Sequence, residues 1–126
     1  MPLPAHGPEY LIEAALLGTF MVVACTATAL LHHADSPVAR ALRPALARRA
    51  LTGVVMGLTA IVLITSPWGQ RSGAHLNPGV TLTFLVLGKV APLDALGYIL
   101  AQFAGGLAGV LLSALALRQV IRHPSV

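Results

Sequence analysis

The sequence predicts an all-α integral membrane protein with three transmembrane helices and one re-entrant half-helix. Three observations carry this expectation. Of 126 residues, 56% are hydrophobic before glycine is counted and 10% are charged, where an ordinary soluble domain is about 25% charged. The mean hydropathy is +0.82. Three apolar runs approach or exceed the ~20 residues that cross the hydrocarbon, and a shorter one opens on Asn77-Pro78. So few charged side chains cannot coat a water-soluble fold, which excludes a soluble enzyme and a disordered tail.

The elements follow in chain order, and residues 1–126 read as one unit. The first span covers about 10–31, with no charge from Ala14 to Leu31. Val22-Val23-Ala24-Cys25 imitates a lipoprotein cleavage site, but Glu9 and Glu13 stand where a signal peptide needs basic residues, so a retained helix is expected. Cys25 is the single cysteine, which excludes a disulfide within the chain. Residues 32–49 form a polar connector carrying Arg40, Arg43, Arg48 and Arg49; the spacing of Val38, Leu42 and Leu46 predicts a short amphipathic helix lying at the interface. The second span covers about 50–66 and stops at Pro67-Trp68-Gly69. A re-entrant loop and half-helix occupy 67–89, and the third span covers about 93–117, interrupted by Gln102. The net charge of +4 lies in short loops between apolar runs, which points to topology and lipid headgroups rather than to nucleic acid.

The chemistry sits in the re-entrant segment. Asn77 is a strong N-cap, and Pro78 costs nothing at the first helical position because the N–H it lacks would be unpaired. With its oxygen engaged in the cap, the Asn77 amide can only donate outward. The preceding Gly73-Ala74-His75-Leu76 backbone is expected to be extended and to leave carbonyls without partners. At membrane depth such carbonyls are tolerated only where they line water or are buried in protein. A row of acceptors leading to a donor at the positive end of a helix describes half of a narrow polar pore.

Ser72-Gly73-Ala74-His75-Leu76-Asn77-Pro78-Gly79-Val80-Thr81-Leu82 resembles the first signature of the major intrinsic protein family, the aquaporins and aquaglyceroporins. The resemblance extends over Gly18-Thr19-Phe20, Gly57-Leu58-Thr59 and Tyr98 to Gly106, nearly the whole chain except the arginine-rich connector. Gly79 stands where the family usually has alanine. Glu13 lies five residues before Gly18 rather than three, a difference of about 200° of helical rotation. The chain resembles the first half of an inverted repeat, and its Arg122-His123-Pro124-Ser125-Val126 end resembles the start of a connector to a second half.

The resemblance implies passive, single-file passage of water, and of small neutral solutes such as glycerol. It makes Gly73, Ala74, His75, Asn77, Val80 and Met56 pore-lining, with Gly57 the alternative to Met56 when counted back from Asn77. Asn77, Pro78 and Gly79 start the half-helix, and Glu13 and Gln102 support the loop. No catalytic residue, metal site or cofactor is expected, since His75 has no second ligand at helical spacing. The expected partners are membrane lipid, the permeating molecules, and a homo-oligomer or a complementary second-half chain; the rival reading is a membrane fragment without transport of its own. The expected location is the cell's inner or plasma membrane. Six arginines on the connector and tail against Arg71 and Lys89 opposite place the connector in the cytoplasm, while the resemblance places the N-terminus there.

Overall fold

The computed structural model describes residues 7–118; Arg122 and the end of the chain lie outside them. Six helices follow one another: α1 (Gly7–His32), α2 (Pro37–Ala41), α3 (Ala45–Thr65), α4 (Pro67–Ser72), α5 (Pro78–Val86) and α6 (Pro92–Ala116). Three of them, α1, α3 and α6, are long and apolar enough to cross a membrane. The nine residues of α5 rise only about 13 Å, less than half the hydrocarbon thickness.

The α1–α6 pair is the centre of the molecule, and small residues make it possible. A Cβ on Gly105 would lie 2.1 Å from the Ala14 carbonyl oxygen, and one on Gly109 would lie 2.4 Å from that of Gly18. Ala14 and Gly18 are one turn apart, as are Gly105 and Gly109, so the two helices run in parallel with their backbones in contact. The buried face of α6 continues this stripe as Asp94, Tyr98, Gln102, Gly105, Gly109 and Ser113. By contrast, nothing lies within 4 Å of a Cβ built on Gly53 or Gly57. The small-residue face of α3 is open, and α3 buries no residue at all.

Two boundaries differ from the sequence expectation, and prolines explain both. The second span starts at Ala45 rather than 50, and the connector holds only the five-residue α2. Pro44 disfavours helical backbone at Arg43, so the predicted interfacial helix ends early. Pro44 itself is the N-cap of α3, which draws Arg48 and Arg49 into its start. Pro67-Trp68-Gly69 does more than stop the second span. Ser66 caps a new helix by accepting the Gly69 N–H at 3.1 Å, and Pro67 occupies its first position.

Candidate functional site

The re-entrant segment hangs from a carboxylate on α1. Glu13 is fully buried, and four donors converge on it. Its Oε1 accepts the Ser72 hydroxyl at 2.9 Å and the His75 N–H at 3.0 Å. Its Oε2 accepts the Leu76 N–H at 2.9 Å and the Gln102 side-chain amide at 3.1 Å. Every partner donates, so the group works purely as an acceptor.

The backbone of 73–76 is not extended, as the sequence reading has it. Gly73, Ala74 and Leu76 have φ of +90°, +49° and +58°. These positive-φ residues turn the His75 and Leu76 N–H groups toward one side, forming a nest for an anion. Here the anion is the Glu13 carboxylate. The left-handed conformation at Ala74 and Leu76 costs roughly 1–2 kcal/mol each, which the hydrogen bonds to Glu13 offset.

That clamp sets the direction of the carbonyls. The N–H groups of His75 and Leu76 point at Glu13, and that of Ala74 donates to the Ser72 hydroxyl at 3.1 Å. No peptide bond is cis, so each of these N–H groups is antiparallel to the carbonyl sharing its peptide plane. Those carbonyls belong to Gly73, Ala74 and His75. They are turned away from the clamp, and the described residues offer them no donor.

Next in the chain, Asn77 caps α5 by accepting the Gly79 N–H at 2.6 Å. Its amide nitrogen has no acceptor among the described residues and sits at the positive end of α5. Gly73, Asn77, Gly79 and Val80 are exposed, and Ala74 and Pro78 half-buried. Met56 is half-buried on α3 and its neighbour Gly57 exposed; neither belongs to the hydrogen-bonded cluster.

A second tier of polar groups fixes the ring of His75. The amide nitrogen of Gln102 donates to Thr81 Oγ1 at 3.0 Å, and that oxygen lies 2.9 Å from His75 Nδ1. With its oxygen already accepting from Gln102, the Thr81 hydroxyl has its own proton to give to Nδ1, an arrangement that goes with the ring proton on Nε2. The ring is further held by Phe84 and Tyr98, each with its centroid 4.9 Å away. Gln102 Oε1 is buried without a partner; exchanging the amide ends would set that oxygen against the Glu13 carboxylate instead.

Sequence reasoning assigned no role to Ser72, Thr81 or Tyr98, although all three belong to this cluster. Tyr98 donates its hydroxyl to the Ser72 carbonyl. A signal existed for it, since Asp94, Tyr98 and Gln102 recur every four residues on one helix face. At the rim, Tyr10 donates to Asp94 at 2.6 Å and Arg71 pairs with Glu9 at 3.0 Å, tying α1 to α6 and α4. No group of three or more metal-ligating side chains occurs among the described residues.

Residues 10–125 match the family model described as major intrinsic protein. The chain is 38% identical to Aquaporin-3 of Milnesium tardigradum over 73% of its own length and 28% of that protein's. It is 37% identical to the glycerol uptake facilitator protein-like 6 of Lactiplantibacillus plantarum over 79% of its length and 39% of the relative's. The aquaglyceroporin AqpS of Rhizobium meliloti is 40% identical over 48% of the chain and 25% of the relative. The chain thus spans well under half the length of these relatives. No solved structure matches it.

Proposed function

The chain belongs to the major intrinsic protein family, and from that premise we propose that it forms one wall of a pore for water and small neutral solutes such as glycerol. It is a multi-pass membrane protein of a family of passive channels, not enzymes. The observation that carries the reading is the common direction of the Gly73, Ala74 and His75 carbonyls, fixed by N–H groups bound to Glu13 and Ser72.

In this reading the three carbonyls replace hydration lost by a water entering single file. The Asn77 amide then donates to the water's oxygen, so both of its hydrogens point away from the site. The positive end of α5 opposes cations there. Val80 and Met56 give the apolar part of the wall, and Gln102 holds the loop together with Glu13. Low-polarity walls with a few fixed polar groups suit a neutral solute and give an ion no counter-charge. The inner or plasma membrane of the cell is the proposed location.

The exposure of Gly73, Asn77, Gly79 and Val80, together with an α3 that buries no residue, favours a pore open along one side. The proposed activity therefore requires a complementary half-repeat, supplied by further chain or by a partner. Stopped-flow shrinkage of proteoliposomes tests this. The 126-residue chain alone should leave water permeability at the level of bare lipid. The same chain joined to a second half-repeat should raise it. Fast flux through the chain alone would refute the half-pore reading.

A further inference from the structure

The two ends of the bundle differ in charge. Where α1 and α6 begin, Arg71 is paired with Glu9, and Asp94 accepts from Tyr10. At the opposite end stand Arg40, Arg43, Arg48, Arg49 and Arg118, with Asp35 as the only carboxylate among the described residues there. Asp35 is taken by Arg40 at 3.4 Å. The side chains of Arg43, Arg48 and Arg49 form no ion pair or hydrogen bond with any described residue.

Their position argues against a role in holding the fold. They flank the N-terminus of α3, which has no acidic residue in its first turn and no side-chain cap. Positive charge at that end opposes the helix dipole. Both features, the unpaired guanidinium groups and the uncapped positive helix end, would be relieved by one thing, an anion. The start of a membrane-spanning helix lies at headgroup depth, and guanidinium groups match phosphate oxygens in pairs.

We propose that Arg43, Arg48 and Arg49 bind the phosphate of an anionic phospholipid at the membrane surface, beside the first turn of α3. The site is independent of the proposed pore and needs no second half-repeat. It differs from a charge bias that merely sets topology, because topology requires positive charge but no preference for one bound lipid.

The test uses the full chain in detergent micelles, titrated with phosphatidylglycerol or phosphatidylcholine, with bound lipid counted by native mass spectrometry. Phosphatidylglycerol should be retained about tenfold better, and the preference should fall as salt rises. The Arg43→Gln/Arg48→Gln/Arg49→Gln variant should lose it, while Arg118→Gln keeps it. If the triple variant does not fold by circular dichroism, the single variants at the exposed Arg43 and Arg49 decide, each expected to weaken retention about threefold. Equal retention of both lipids by the unaltered chain would overturn the proposal. So would a preference that survives these substitutions in folded protein, or displacement of the lipid by an equal concentration of inorganic phosphate.

Discussion

Glu13 accepts the backbone N–H of His75 at 3.0 Å across 62 positions of sequence. One carboxylate on a spanning helix thereby sets which way the Ala74 and His75 carbonyls face, and through the Ser72 hydroxyl it holds, that of Gly73. The His75 and Leu76 N–H groups find no other acceptor among the described residues. The loop's order depends on α1, and through Gln102 on α6.

Glu13→Gln follows directly. A carboxamide has one acceptor oxygen, and its –NH₂ would confront donors that now meet Oε2. Each donor left unsatisfied costs about 1–3 kcal/mol. The thermal midpoint of the variant in detergent should fall clearly below that of the unaltered chain. An unchanged midpoint would mean that the carboxylate does not hold the loop.

Thr81 separates a hydrogen-bonding role from a packing role. Thr81→Val keeps the volume but deprives His75 Nδ1 of its donor and Gln102 of one acceptor, at a cost of about 1–3 kcal/mol. Thr81→Ser keeps the hydroxyl and should lose far less. Equal midpoints for the two variants would mean that the Thr81 hydroxyl makes no net contribution to holding His75 and Gln102.

The glycines give a paired comparison. Gly105→Ala places a Cβ against the Ala14 backbone, which cannot yield as a side chain can, so α1 and α6 must separate. A loss of about 1–3 kcal/mol is expected. Gly53→Ala meets open space and should be neutral or stabilising by up to ~1 kcal/mol from helix propensity. Guanidinium or heat titration of both variants in the same detergent checks the ranking.

The sequence was informative where physics is local. Apolar run length marked α1, α3 and α6, and Asn77-Pro78 marked the start of α5. The resemblance pointed to Glu13 and Gln102, but register arithmetic set Glu13 against Gly18. In the structure the two meet different neighbours. Ala14 and Gly18 share the face pressed on α6, and Glu13 lies about 100° round the helix from Ala14, toward the loop. What was not legible depends on distant partners. Nothing in an alanine or a leucine announces positive φ, which at Ala74 and Leu76 is sustained by a carboxylate some 60 residues away. Ser72 and Thr81 stood inside the motif, but their partners came only with the packing of α6.

The central claim is that Asn77 supplies the donor at the narrow point of a neutral-solute pore. The most direct measurement is osmotic shrinkage and cation leak in proteoliposomes carrying the chain joined to a second half-repeat, with and without Asn77→Asp. Aspartate can still cap α5 through its oxygen, so the helix start is preserved while a fixed donor becomes a charged acceptor. The account predicts about tenfold or greater loss of water flux, as expected for a lost polar contact of 1.4 kcal/mol or more, together with a rise in cation leak. Unchanged water flux and unchanged leak in a correctly folded Asn77→Asp channel would contradict it.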